Sequence, residues 1–287
     1  MGKPMATNLC KAGYPLWVYA RREKSMQPLV DMGATACYSV GELTRQVEVI
    51  ILIVSDTPDV EYLVLGEIML HALPGCVVVD MSTISPIATR AIAKTLQARS
   101  IEMLDAPVSG GEVGAINATL SIMVGGKTPV FTRIKPLFEV LGKNIVHVGK
   151  HGAGQIAKAC NQVVAGMTLQ AIAEALTFAR KSGVDPAKVR DALMGGFAAS
   201  KILEVHGKRM LNEDFQPGFK SQLHQKDIAI VMQTAKELNI TLPGTSHLMD
   251  HLNALVDAGY GEMDSSVIIK VIAEMNDMPS TKKYIYS

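Results

Sequence analysis

A hydroxyl beside two glycines, and a lysine followed by two amides, are the parts of this sequence best suited to chemistry. The first set lies in Asp105-Ala-Pro-Val-Ser-Gly-Gly-Glu-Val-Gly-Ala115, where Ser109, Gly110 and Gly111 follow a strand-like run. Glycines at that point let backbone N–H groups approach an anion closely, although the same pair would also serve a plain turn. The second set lies in Gly152-Ala-Gly-Gln-Ile-Ala-Lys-Ala-Cys-Asn-Gln162, the start of a run rich in small residues. Lys158 precedes Asn161 by three positions and Gln162 by four, which puts all three side chains on one face of a helix. An anion cradle and a lysine with amide neighbours suit proton transfer to a small carboxylate substrate. Alone at mid-helix, Lys158 would be an ordinary surface lysine; packed among Ala157, Ala159 and Cys160 it would be partly desolvated, which favours giving up a proton. His147, His151, His206, His224 and His251 have no zinc-like spacing, so no metal is expected. The residue chemistry points to a cofactor-dependent reductase.

The elements that must position these residues follow from apolar patterning. Compact runs at Leu16–Tyr19, Val49–Val54, Cys76–Asp80, Glu102–Asp105, Leu120–Val124 and Ile145–Val148 read as strands. Stretches apolar on both faces suit a sheet covered by helices on both sides, and Pro86–Arg99 and Pro129–Leu141 read as such helices. That alternation predicts a doubly wound α/β sheet. After Gly149 the pattern changes to a long helix from Gly154 to about Lys181 and further helices, broken at Asp185-Pro186, Gly195-Gly196, Pro217-Gly218 and Pro243-Gly244. Two domains are expected, 1–150 and an all-α domain over 151–287.

Met1-Gly2 looks like the tail of a dinucleotide-binding fingerprint. In G-x-G-x-x-G the glycines open a helix whose N–H groups meet a pyrophosphate, and Gly2 would be the third of them. The preceding strand and first two glycines have no counterpart, so an N-terminal truncation is expected. Arg21 and Arg22 follow the presumed second strand, where an acidic residue would bind the ribose of NAD and an arginine accommodates the 2′-phosphate of NADP. They favour NADP there, or are two solvated surface arginines.

Composition excludes several classes. The 287 residues carry a formal net charge of +1, which gives no reason to expect nucleic acid or a membrane surface. No uninterrupted apolar run reaches the roughly 18 residues of a membrane span, and no signal peptide is visible. Cys10, Cys37, Cys76 and Cys160 form no C-x-x-C pair and are expected to be buried free thiols of a cytoplasmic chain. Met5, Met81, Met103 and Met123 are expected as core fillers, and Asp80 and Asp105 as caps of the turns that follow them.

Five segments in order resemble the β-hydroxyacid dehydrogenase family, which includes 3-hydroxyisobutyrate dehydrogenases and tartronate semialdehyde reductases. They are Met1-Gly-Lys-Pro-Met-Ala6, Asp80-Met-Ser-Thr-Ile-Ser-Pro86, Asp105-Ala-Pro-Val-Ser-Gly-Gly111, Gly152-x-Gly154 with Lys158 and Asn161, and Leu223-His-Gln-Lys-Asp227. The resemblance implies a Rossmann-type domain followed by a helical one, and a nicotinamide cofactor; with Arg21 and Arg22, NADPH is expected to be preferred and NAD is the alternative. It implies that Lys158 protonates the carbonyl oxygen and that Ser109, Gly110 and Gly111 hold the substrate carboxylate. It also places Met1, Gly2, Thr83 and Lys226 against the cofactor, and Asn161 and Gln162 near the substrate. Gly195-Gly-Phe-Ala-Ala-Ser200 and Glu204-Val-His-Gly-Lys-Arg-Met210 resemble the tartronate semialdehyde reductase branch, which implies reduction of 2-hydroxy-3-oxopropanoate to glycerate. The alternatives are a 3-hydroxyisobutyrate or succinic semialdehyde enzyme, or a silent binding module on the same fold. Family members are dimers or tetramers, so a homodimer or homotetramer is expected. Ser55 stands where relatives often carry proline, in a loop that borders the nicotinamide in the family.

Overall fold

The computed structural model of the chain describes residues 1–278. Two compact units emerge, Met1–Lys158 and Ala159–Ser287, and the division falls inside one helix, Ala153–Lys181.

The first unit holds eight strands: β1 (Trp17–Val18), β2 (Thr35–Ala36), β3 (Val49–Leu52), β4 (Val77–Asp80), β5 (Glu102–Asp105), β6 (Val108–Ser109), β7 (Leu120–Gly126) and β8 (Gly142–Gly149). β3, β4 and β5 are parallel neighbours, with Val49 opposite Val77 and Val77 opposite Glu102. β7 then runs antiparallel to both β5 and β6 and parallel to β8. β1 and β2 form a separate parallel pair. The doubly wound α/β arrangement expected from the sequence is present, with a mixed main sheet and β1–β2 as a separate pair. Both the two-residue strands β2 and β6 and the reversal at β7 lack an apolar run of their own to announce them.

Alternation along the strands sorts side chains to opposite faces. Val77 and Val79 enter one core with Met5 and Leu9 of helix Gly2–Lys11 and Ile134 and Phe138 of helix Thr128–Leu141. Val78 and Met103 enter a second core with Ile92 and Leu96 of helix Pro86–Gln97. All four residues of β4 are buried, as a strand covered on both faces requires. This is a Rossmann-like arrangement. Each buried Val, Leu or Ile contributes about 1.5–3 kcal/mol, so the two cores rather than strand propensity hold the sheet.

The second unit is helical, with no strand among the described residues and one isolated bridge, Lys220 to Asp264. Its core joins Leu169, Ala173 and Leu176 to Ile228, Leu248, Leu252 and Ile268. Helix Ala153–Lys181 has 29 residues, about 44 Å at 1.5 Å per residue. By length and composition it would suffice to cross a membrane, with a mean hydropathy of 1.2 over 18 residues. It also carries the buried polar residues Gln155, Lys158, Gln162, Thr177 and Arg180, which suits a core helix better than a lipid-facing one.

Candidate active site

Asp105 governs the start of the helix that carries Lys158. This carboxylate is fully buried and accepts from the backbone N–H groups of Gly152 at 2.8 Å and Gln155 at 3.0 Å. It caps a distant helix by satisfying two of its orphan donors, and does not cap its own turn as the sequence suggested. Burial pushes the Asp105 carboxyl above its usual range, and the Gly152 and Gln155 donors offset this only in part. Glycines make the approach possible. A Cβ on Gly125 would meet the Asp105 carboxylate at 2.6 Å and Gly154 N at 2.7 Å, and one on Gly154 would meet Asp105 O at 2.6 Å. Gln155 then clamps the loop after β4, since its Nε2 donates to Ser82 O at 2.8 Å and its Oε1 accepts from Ile84 N at 3.2 Å. Thr83 lies between those two anchors. Asp80 accepts from Ser82 N at 3.0 Å, so this aspartate does cap its own turn. Lys158, one turn beyond Gln155, is buried with 8% exposure, so the desolvation expected of it is realised.

Ser109 ends β6, and Gly110 and Gly111 have φ of 129° and 62°, values that L side chains rarely adopt. They turn the chain into the short helix Gly111–Ile116, which has no side-chain cap. Gly110 and Gly111 are exposed, and nothing lies within 4 Å of a Cβ built on Gly111. The N–H groups of Gly110 and Gly111, without an acceptor among the described residues, are open to one.

At the start of the chain, Met1 precedes helix Gly2–Lys11, whose first turn has no acidic residue. A Cβ on Gly2 would meet Ile53 Cγ2 at 2.9 Å, so the helix rests on the chain just past β3 as only glycine allows. Arg21 and Arg22 follow β1 and are exposed, and neither forms an ion pair among the described residues. Backbone N–H groups without acid nearby, and two uncommitted guanidinium groups, fit the diphosphate and 2′-phosphate of a dinucleotide.

The second unit brings Asn161, Gln162 and Lys226 together through Asp227. Gln162 Nε2 donates to Asp227 Oδ2 at 2.7 Å, and Asn161 Nδ2 donates to Gln162 Oε1 at 2.8 Å. Lys226 Nζ pairs with Asp227 Oδ1 at 3.0 Å. Asp227 has no role that the sequence announces, since its partner Gln162 lies 65 positions away, a link that spacing does not reveal. Asp264 was missed as well. Fully buried, it accepts from the N–H groups of Gly218, Phe219 and Ser266, each at 3.1 Å, and pairs with Arg209 at 2.5 Å and His206 at 3.4 Å. Burial alone would raise its pKa, but the His206, Ser266 and Phe219 donors outweigh that and hold it well below the usual carboxylate range. It thereby fixes the segment that leads into helix Ser221–Glu237, the helix of Lys226 and Asp227.

Other expectations divide. Cys37 and Cys76 are buried, but Cys10 is only half-buried and Cys160 is exposed, because it points away from the face shared by Lys158 and Gln162. Met5, Met81 and Met103 fill cores, whereas Met123 is half-buried. His147 and His151 contact the carbonyls of Gly126 and Met103, and no group of three metal-ligating side chains occurs among the described residues.

Comparison with known proteins places this geometry. Residues 1–149 match the NAD binding domain of 6-phosphogluconate dehydrogenase, and residues 152–272 match the NAD-binding region of NADP-dependent 3-hydroxyisobutyrate dehydrogenase. The chain belongs to the 3-hydroxyisobutyrate dehydrogenase-like family. It is 46% identical to 2-hydroxy-3-oxopropionate reductase of Escherichia coli K12, over 96% of this chain and 94% of that one. It is 34% identical to the NAD-dependent L-serine dehydrogenase of Pseudomonas aeruginosa, over 94% of each. Among solved structures, 3-hydroxyisobutyrate dehydrogenase of Mycobacterium tuberculosis with L-serine is similar at a TM-score of 0.86 and 31% identity, covering 95% of both chains. As a member of this family the chain is an NAD(P)-dependent oxidoreductase of the β-hydroxyacid dehydrogenase type.

Proposed function

We propose that this chain reduces 2-hydroxy-3-oxopropanoate to glycerate, with NADPH preferred over NADH. The observation that carries the reading is the 46% identity across nearly the full length of the Escherichia coli reductase. The Gly195–Ser200 and Glu204–Met210 segments support the same branch. NADPH, when bound, supplies the hydride for the aldehyde carbon. Lys158 gives its proton to the carbonyl oxygen as that oxygen gains charge: its N–H bond breaks, the alcohol O–H forms, and solvent reprotonates the amine. Its burial keeps that transfer away from bulk water. Ser109 and the backbone N–H groups of Gly110 and Gly111 hold the substrate carboxylate, and Asn161 with Gln162 supplies the neighbouring amide. Met1, Gly2, Thr83 and Lys226 contact the cofactor, and Arg21 and Arg22 take its 2′-phosphate. Most of the cofactor contacts belong to 1–150, with Lys226 added from 151–287, and the helical part also serves substrate binding and assembly of a homodimer or homotetramer in the cytoplasm.

The test is NADPH oxidation across a panel of 2-hydroxy-3-oxopropanoate, 3-oxopropanoate and succinic semialdehyde, with 3-hydroxyisobutyrate and L-serine oxidation in the reverse direction. The highest kcat/KM is expected with 2-hydroxy-3-oxopropanoate. A higher value with 3-hydroxyisobutyrate or L-serine would reassign the substrate within the family.

A further inference from the structure

We infer that Asp227 sets which end of the Asn161 amide faces the substrate, and that it does so to accept a substrate hydroxyl. The inference rests on the substrate site proposed above and names the group that this part of it reads.

The argument is one of donors and acceptors. A carboxylate beside an ammonium offers acceptors and no donor. Asp227 is such a group, with Lys226 Nζ on Oδ1 and Gln162 on Oδ2. Gln162 must therefore turn its NH₂ toward Asp227, and its carbonyl is left facing the other way. That carbonyl needs a donor, so Asn161 must turn its own NH₂ toward Gln162, as the 2.8 Å bond shows. Gln162 is buried with 5% exposure, which leaves no water to relax the order cheaply. The outcome is an Asn161 whose Oδ1 makes no hydrogen bond among the described residues, on a residue that is itself only half-buried. An outward acceptor one helical turn beyond Lys158 fits an O–H donor on the ligand. The 2-hydroxyl of a 2-hydroxy acid is such a donor, and a 2-deoxy acid has none.

Asp227 is thus a positioning residue acting through Gln162, and the pair should discriminate between ligands that differ by one hydroxyl. Removing one partner of such a bond weakens binding by about tenfold. In Asp227→Asn the new amide can donate to Gln162, which frees Gln162 to flip, and Asn161 can then flip in turn to present only donors. A double exchange, Asp227→Asn with Gln162→Glu, restores the order by another route. There the carboxylate at position 162 accepts from both amides, and Asn161 again shows its oxygen.

The experiment is calorimetric titration of the NADP⁺-saturated protein with glycerate and with 3-hydroxypropanoate, beside turnover of the corresponding aldehyde acids. The expected Kd ratio is about tenfold in favour of glycerate in the unmodified chain, below about threefold in Asp227→Asn, and about tenfold again in the double exchange. Should Asp227→Asn fail to fold, Asn161→Ala removes the acceptor directly and is expected to give the same loss of ratio. Equal affinity for both acids in the unmodified chain, or an unchanged ratio in Asp227→Asn or Asn161→Ala, would overturn the inference while leaving the proposed reaction standing. If neither acid binds and no aldehyde acid is turned over, the substrate reading fails and the inference fails with it.

Discussion

Asp105 in the first unit and Asp264 in the second are both fully buried carboxylates that hold the entrance to a helix, yet their ionisation is pulled in opposite directions. Asp105 receives two backbone N–H groups from the start of helix Ala153–Lys181, with His151 adding a weaker charge effect, and burial prevails. Asp264 receives three backbone N–H groups, the Ser266 hydroxyl, an arginine and a histidine, and the donors prevail. Two neutral donors are not enough to replace the water that a carboxylate loses, whereas a full set with a cation is. The same residue type is a strained anchor in one unit and a secure one in the other.

The largest effect that would sharpen this comparison is expected from Asp264→Ala. It strands the Arg209 guanidinium and three backbone N–H groups, a loss of about 3–5 kcal/mol. At about 2–4 °C per kcal/mol, thermal unfolding should shift down by roughly 10 °C. Asp105→Asn should cost less, about 1–2 kcal/mol, because the amide turns its NH₂ on one of the two N–H donors but keeps one acceptor and sheds the penalty of a buried charge. Equal losses in Asp105→Asn and Asp264→Asn would break the comparison.

The pH dependence carries opposite signs. Asp264 has a depressed folded-state pKa, so its stabilisation is complete above the unfolded value near 4 and is lost as pH falls through the folded value. Asp105 has a raised one, so between the unfolded value and its folded value stability falls as pH rises. Denaturant melts of the two asparagine variants from pH 3 to 7 should show Asp264→Asn with reduced acid sensitivity below about pH 4. Asp105→Asn should show a flatter profile just above that pH. A parallel offset of all three curves would refute both assignments.

A smaller effect belongs to the exposed arginines. Replacing Arg21 and Arg22 together with alanine should lower kcat/KM for NADPH about tenfold and leave NADH nearly unchanged, since a charge-assisted contact contributes about 1.5–3 kcal/mol when formed. Unaltered preference would return both residues to the solvent.

Sequence patterning revealed most of the fold and less of the site's support. β4 and β5 were legible because their runs are apolar on both faces, and helix Ala153–Lys181 because nothing in it breaks a helix except Gly166. β2 and β6 were not, since two residues carry no period, and the antiparallel turn of β7 depends on pairing that no single strand encodes. Lys158, Asn161 and Gln162 stood out by spacing along one helix. The carboxylates that hold the two helices did not, because Asp105, Asp227 and Asp264 find their partners across 45 or more positions in most of their contacts. Cys160 is not the buried free thiol expected of all four dispersed cysteines, because it lies off the buried face that holds Lys158 and Gln162.

The most direct measurement of the central claim is single-turnover NADPH oxidation with 2-hydroxy-3-oxopropanoate by the unmodified chain and by Lys158→Ala, with NADPH affinity measured on both by fluorescence titration. The expected result is oxidation by the unmodified chain, a loss of at least about a hundredfold in the variant, and a Kd for NADPH within about twofold between them. A variant that keeps most of its rate would contradict the role given to Lys158, and an unmodified chain that binds NADPH but does not oxidise it with this substrate would contradict the reaction itself.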